Sequence, residues 1–151
     1  MTDHDPYRPP RSGPDPSDDL PAFAGLWRFL FWFSALLMSL ALIGFPHIEN
    51  TTVFDYIDFF VSSIATVGLF GFAYQKPISS IVFWRWFFYG SAIEGLFYSL
   101  LLPATGLPRY GEEMAFDGWY VFELVYMALI LVALYRYAYR SPAAWRLSRD
   151  Y

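Results

Sequence analysis

Four long apolar runs constrain this chain more than any other feature. A transmembrane helix needs about 20 mostly apolar residues, because it rises about 1.5 Å per residue across roughly 30 Å of hydrocarbon. The segments between the runs are rich in Pro, Gly and polar residues, which is typical of turns. The runs cover residues 23–45, 53–74, 78–102 and 116–137. The sequence therefore predicts an all-α integral membrane protein, a four-transmembrane-helix bundle formed by residues 21–140.

The overall composition favours the same fold class. Of the 151 residues, 56% are hydrophobic and 23% are aromatic. A soluble domain of this size cannot remove so much apolar surface from water, whereas the lipid bilayer can accept it directly. We therefore expect the lipid bilayer to be the principal partner of this chain.

The positive charges predict how the helices are threaded. Lys and Arg cluster at the two termini and in the second loop, while the first loop has none and the third has only Arg109. The positive-inside rule then places the N- and C-termini in the cytoplasm. The small size and the arginine distribution favour a bacterial inner membrane. The cytoplasmic charges are Arg8, Arg11, Arg28, Lys76, Arg136, Arg140, Arg146 and Arg149.

The two ends of the chain are predicted to lie outside the bundle. Residues 1–20 are acidic and rich in Pro, which predicts a disordered N-terminal tail. Residues 141–151 are expected to form a cytoplasmic C-terminal tail. In the stretch before and within this tail, Arg alternates with Tyr and Trp. Contact with anionic lipid and ordinary anchoring at the membrane boundary both explain that pattern.

The third run carries Arg85 and Glu94, nine residues apart. On a helix that spacing is about 900° of rotation and about 13 Å of rise, so the two side chains cannot form an ion pair within one helix. Arg85 is close enough to the cytoplasmic boundary for its long side chain to reach it. Arg28 occupies a similar place in the first run. The predicted lipid-anchor residues are Arg28, Arg85, Trp84, Trp86, Arg136 and Arg140.

Several chemistries lack the residues they need. There is no Cys, which excludes thiol chemistry and iron–sulfur ligation. The two histidines, His4 and His47, lie outside the interiors of the apolar runs, so they cannot pair as axial haem ligands. No Gly-rich phosphate loop is present, and nucleic acid is not an expected partner. We therefore predict no cofactor, no dedicated metal site and no catalytic residue set.

Four acidic residues lie within the apolar runs, where ionisable groups are costly and usually face the bundle interior. Counting from the outer ends of the helices, Asp55 lies about 3 Å deep, Asp58 about 8 Å, Glu94 about 12 Å and Glu123 about 10 Å. Acidic side chains from three helices thus reach a similar level in the outer half. This convergence predicts either a shared site or a set of contacts that fix the helix register.

Tyrosines accompany these acids at helical spacing, so a hydrogen-bonded network or a proton relay is possible there. A shared site would suit a proton, a metal ion or an organic cation, because carboxylate oxygens and aromatic walls bind such ligands. The candidate ligand- or proton-binding residues are Asp58, Glu94, Glu123, Asp55, Tyr98, Tyr120 and Tyr126.

Three functions remain open from the sequence. The first is a non-enzymatic accessory or scaffold subunit that packs with another membrane protein or with a second copy of itself. The second is a small transporter or binding protein that uses the outer-half acids. The third is a membrane enzyme acting on lipids or isoprenoids, with Glu94 and Glu123 as acid and base.

Overall fold

The computed structural model describes residues 23–49, 51–105, 118–141 and 144–145. Within these ranges the chain is helical and contains no strand. The predicted tail 1–20, Arg109 and most of the predicted tail 141–151 lie outside the described residues.

Four long helices form the described part of the chain, and each lies largely within one of the predicted apolar runs. The first ends in a 3-10 turn, and the third continues through a π-helical turn into a last α-helical turn. The elements are α1 Ala24–Gly44 with its 3-10 turn Phe45–His47, α2 Val53–Ala73, α3 Ile81–Leu96 with its π turn Phe97–Leu101 and last turn Leu102–Ala104, and α4 Gly118–Arg140.

Side-chain caps explain where two of the helices begin. The Thr52 hydroxyl accepts a hydrogen bond from the backbone N–H of Asp55, and Asp55 in turn accepts one from the backbone N–H of Thr52. This reciprocal arrangement is a capping box. At the start of α3 the Ser80 hydroxyl accepts from the Phe83 N–H, so the helix begins three residues later than the apolar run predicts.

Three helices are long and apolar enough to cross a membrane: Ala24–His47, Val53–Ala73 and Gly118–Arg140. The fourth, α3, has 16 α-helical residues before its π turn. The described fold is therefore all-helical, with three candidate membrane spans and one further helix packed with them.

The first two helices run antiparallel. The rings of Trp27 and Phe72 meet 5.2 Å apart at one end of the pair, and those of Phe45 and Tyr56 meet 4.9 Å apart at the other. Each contact joins the beginning of one helix to the end of the other, so the short connection between the helices simply reverses the chain direction.

The third helix is antiparallel to both of its neighbours. Phe97 lies 5.3 Å from Phe54 at the start of α2, and Phe88 lies 5.7 Å from Tyr135 near the end of α4. The helices α2, α3 and α4 therefore traverse the molecule in alternating directions, and each lies alongside the next.

The described charges separate to opposite ends of this bundle. We call the end where α2 and α4 begin the acidic end, and the end where α1 and α3 begin the basic end. The half toward the acidic end holds the described acids Glu49, Asp55, Asp58, Glu94 and Glu123. The half toward the basic end holds the described cations Arg28, Lys76, Arg85, Arg136 and Arg140.

The core is concentrated toward the basic end, around Tyr137. Its hydroxyl donates to the Lys76 carbonyl at 2.6 Å and accepts from the Ile78 N–H at 2.9 Å, which ties α4 to the α2–α3 connection. The Trp84 indole N–H donates to the Ile78 carbonyl. At Gly68 an added Cβ would lie 2.5 Å from the Trp84 ring, so the glycine lets the two helices approach closely.

Two tryptophans expected near the membrane boundary lie in this core instead. Trp84 is only 1% exposed, because its ring fits against Gly68 and Tyr137. Trp145 was expected in a tail, but its indole N–H donates to the Tyr137 carbonyl at 2.8 Å and its ring lies 4.8 Å from the Tyr137 ring. Both rings find hydrogen-bond acceptors on backbone carbonyls, which permits their burial.

Candidate functional site

Asp55 is the most completely enclosed acidic side chain in the described part of the chain. It is 0% exposed, although it lies in the first turn of α2. Its Oδ2 accepts from the backbone N–H of Thr52 at 2.7 Å and from the Thr52 hydroxyl at 2.9 Å. Its Oδ1 accepts from the Tyr98 hydroxyl at 2.5 Å. Both carboxyl oxygens are thus used, one in the capping box at the start of α2 and the other in a bond to the π turn that follows α3.

Tyr98 and Ser99 lie in the π turn that follows α3, and both side chains are buried. A π turn closes its hydrogen bonds over five residues rather than four. Tyr98 contacts Asp55 of α2 and Ser99 contacts Glu123 of α4, so this turn joins the two neighbouring helices.

Ser99 connects the π turn to α4. Its hydroxyl lies 3.4 Å from Glu123 Oε1 and 3.7 Å from Met127 Sδ, and its carbonyl accepts from the Tyr120 hydroxyl at 2.8 Å. Just before the π turn, an added Cβ at Gly95 would lie 2.7 Å from the Met127 sulfur. The small residues of α3 therefore allow α4 to approach closely enough for these polar contacts.

Tyr126 was expected beside a carboxyl group, but its hydroxyl donates to the Ser34 hydroxyl of α1 at 2.7 Å. Ser34 is fully buried and donates in turn to the Leu30 carbonyl at 2.8 Å. This contact joins α4 to α1. Among the predicted tyrosines, Tyr98 binds a carboxyl group, that of Asp55.

Asp58 and Glu94 are half-buried on α2 and α3, and the carboxyl oxygen Oε1 of Glu94 is enclosed. Among the described residues, no three His, Asp or Glu side chains are placed to hold a metal ion. Asp58, Glu94 and Glu123, which all lie in the half toward the acidic end, are among these described residues.

The predicted lipid-anchor residues have varied surroundings. Arg28, Arg85 and Arg140 are exposed, and each guanidinium carbon lies over a tyrosine ring, at 5.4 Å, 5.1 Å and 5.9 Å respectively. Trp86 is 74% exposed, in contrast to the buried Trp84. Arg136 is half-buried.

Sequence reasoning missed three residues of these contacts. Thr52 was recognisable, since Thr52 and Asp55 have the spacing of a capping box before an apolar run. Ser99 had no signal for its contact with Glu123, because nothing in the sequence marks a π turn. Ser34 had no signal beyond being a polar residue in an apolar run.

Comparison with known proteins adds no assignment to this geometry. No family model matches the chain, and neither a curated protein nor a solved structure matches it.

Proposed function

We propose that the protein crosses a bacterial inner membrane four times, with both termini in the cytoplasm, and acts as a non-enzymatic accessory or scaffold subunit that packs against another membrane protein. The three candidate spans rise about 36, 32 and 34 Å along their axes, which suffices for roughly 30 Å of hydrocarbon. Connectivity supports the fourth crossing, since α2 ends at the basic end and α4 begins at the acidic end. The helix between them has to return across the same distance.

The separation of charges supports the orientation. The described cations lie at the basic end and the described acids in the opposite half. Positive residues remain preferentially on the cytoplasmic side of a membrane protein, so the basic end would face the cytoplasm. Fusing a cytoplasm-active reporter after Gln75, and separately after Glu49, tests this orientation. We expect activity only from the first fusion, and the reverse result would contradict the proposed threading.

The contacts of the acidic end carry the non-enzymatic assignment. Asp55 binds Tyr98, and Ser99 approaches Glu123, so these polar groups connect α2 to the π turn and the π turn to α4. Polar bonds between helices are a common way of holding transmembrane bundles together. Carboxyls used in this way stabilise a rigid scaffold, and large outward side chains such as Ile93, 70% exposed, remain available for lipid or protein.

Photo-crosslinking in intact membranes tests the scaffold function. A photoreactive residue replaces one outward side chain on each helix: Leu36, Ile57, Ile93 or Val125. The buried Leu69 serves as the matched internal control. We expect a protein adduct of one defined mass from one or two neighbouring helices and none from position 69. Adducts with lipid alone at all four outward positions would contradict a scaffold function.

A second candidate is a proton or organic-cation site at the acidic end. The π turn favours it, because such turns are frequent at functional sites and this one brings hydroxyls to Asp55 and Glu123. Proteoliposomes loaded with a pH-sensitive dye test it. Under this function Asp58→Asn, Glu94→Gln and Glu123→Gln would each abolish proton or cation flux while the protein stays folded. An impermeable wild-type protein would exclude transport.

A further inference from the structure

An aromatic cluster lies on the outer surface of α3 and α4 at the basic end. The rings of Tyr135 and Tyr139 stack 5.3 Å apart with an interplanar angle of 28°. Phe88 of α3 lies 5.7 Å from the first ring and 6.4 Å from the second. The Tyr139 hydroxyl donates to the Tyr89 hydroxyl at 3.3 Å. We call the stacked pair Tyr135 and Tyr139 the tyrosine platform; both of its rings are 39% exposed.

Two arginines from different helices lie over the tyrosine platform. The guanidinium carbon of Arg85 is 5.1 Å from the centre of the Tyr139 ring, and that of Arg140 is 5.9 Å from the centre of the Tyr135 ring. The face of an aromatic ring attracts a guanidinium group, but it provides no oxygen or nitrogen acceptor for the five N–H donors of that group. The tyrosine platform therefore holds both guanidinium groups in place, and the ring faces accept no hydrogen bond from their N–H groups.

No acidic side chain in the described part of the chain is near these arginines, because the described acids lie in the half toward the acidic end. Both guanidinium groups lie against the same stacked pair of rings on an exposed surface, where they can bind an external anion. In the orientation proposed above, this surface meets the cytoplasmic leaflet, where anionic headgroups attract Arg and Lys. Arginine suits such a ligand particularly well, because its planar fork matches the oxygens of a phosphate.

We propose that Arg85, Arg140 and the tyrosine platform form a binding site for the phosphate of an anionic phospholipid. The guanidinium groups donate to the phosphate oxygens, and the exposed side chain of Trp86 and the half-buried side chain of Phe88 lie on the same helix to contact the acyl chains. The site selects anionic over zwitterionic lipids because two positive charges meet one headgroup. It goes beyond the accessory function and rests on the membrane insertion proposed with it.

Native mass spectrometry of the full chain in detergent tests the site directly. Phosphatidylglycerol and phosphatidylcholine with identical acyl chains are titrated separately, and the bound lipids are counted. We expect wild-type protein to bind phosphatidylglycerol more tightly. Removing both charges in R85Q/R140Q should weaken that binding about 25-fold, since each Arg near an anionic lipid contributes roughly a fivefold factor. Equal affinity of the wild type for the two lipids would overturn the proposal.

A matched variant separates a built site from general attraction. R28Q/K76Q also removes two positive charges from the basic end, but away from the tyrosine platform. It should change phosphatidylglycerol binding by less than about threefold, a factor within the effect of one distant charge. Losses of equal size in both double variants would show diffuse attraction and overturn the site.

Two further variants test the role of the rings. Y139L keeps both charges but removes half of the platform, and R85K/R140K keeps the charges but removes the planar forks. Both should weaken phosphatidylglycerol binding several-fold, and wild-type affinity in both would overturn the platform. Glycerol phosphate, which carries the phosphate without acyl chains, should not compete at equal concentration. Nanodisc reconstitution reports membrane insertion separately, so failure of the lipid site and failure of insertion give different results.

Discussion

The charged side chains at the two ends of the bundle differ in their exposure and in their contacts. At the acidic end Asp55 is fully enclosed, and both of its oxygens accept hydrogen bonds from hydroxyl or backbone groups. At the basic end Arg28, Arg85 and Arg140 are exposed and rest on tyrosine rings. A short carboxyl side chain that points into the bundle requires donors from the protein itself, whereas a long arginine side chain can extend outward.

This contrast explains why the same residue types have different uses. Tyrosine donates hydrogen bonds between helices at the acidic end, where Tyr98 reaches Asp55. On the outer surface of the basic end, the faces of Tyr135 and Tyr139 support cations. At the acidic end, tyrosine therefore contributes to bonds inside the bundle. At the basic end, tyrosine faces support arginines that are exposed on its surface.

The largest effect is expected from removing the internal acceptor at the acidic end. Asp55→Ala deletes the acceptor of three hydrogen bonds, and we expect a loss of about 3 kcal/mol in the free energy of unfolding. Unfolding by SDS titration in mixed micelles measures it. The exposed Glu49 at the same end is the control, and Glu49→Ala should change stability by less than about 0.5 kcal/mol. Equal losses in the two variants would contradict an internal tie at Asp55.

A smaller effect is expected from the internal tie of the basic end. Tyr137→Phe removes the hydroxyl that binds both the Lys76 carbonyl and the Ile78 N–H, at a cost of about 2 kcal/mol. The matched control is Tyr139→Phe, which removes an outward hydroxyl and keeps the ring, with an expected change below about 0.5 kcal/mol. The same SDS titration compares the two variants. A Tyr137→Phe protein as stable as Tyr139→Phe would remove the distinction between inner and outer tyrosines.

Substitution of three glycines, one of them a control, tests whether the ends also differ in packing. Gly68→Ala forces a methyl group against the rigid Trp84 ring, with an expected loss of about 1.5 kcal/mol. Gly95→Ala meets the flexible Met127 side chain, which can move, so its loss should stay below about 1 kcal/mol. Gly90 has nothing within 4 Å of an added Cβ, and Gly90→Ala should stabilise the helix slightly. Thermal unfolding in detergent ranks the three, and a larger loss at Gly95 than at Gly68 would reverse the comparison.

The smallest effect is expected from an exposed arginine on its ring. Arg28→Gln removes a cation over Tyr74, and such exposed pairs contribute roughly 0.5 kcal/mol. Lys76→Gln, an exposed cation at the same end, should change stability less. The difference requires replicate SDS titrations. A loss above about 2 kcal/mol for Arg28→Gln would mean that this cation acts as an internal tie, as Asp55 does.

The sequence predicts well where residues lie along the helix axes. It predicts less well which partners their side chains contact around each axis. The apolar runs predicted four helices, and counting residues placed Asp55, Glu94 and Glu123 in the same half of the bundle. The same count could not predict that Tyr98 binds Asp55, because that bond depends on how α2 and α3 pack together. It also placed Trp84 at the boundary. Trp84 is buried because Gly68 on another helix makes room for it, and such pairs are set only when helices pack.

The hydrogen bonds of the Tyr137 hydroxyl can form only late in translation, because Tyr137 lies near the end of α4. Tyr137 follows Ile78 by 59 residues, which ribosomes translate in about 3–12 s. The indole of Trp84, only six residues after Ile78, becomes available almost at once. The connection between α2 and α3 is thus secured in two stages, first by a local bond from the helix that follows it, then by a bond that awaits the end of α4. On a ribosome stalled between these two stages, the connection between α2 and α3 would have the Trp84 bond but not yet the Tyr137 bond.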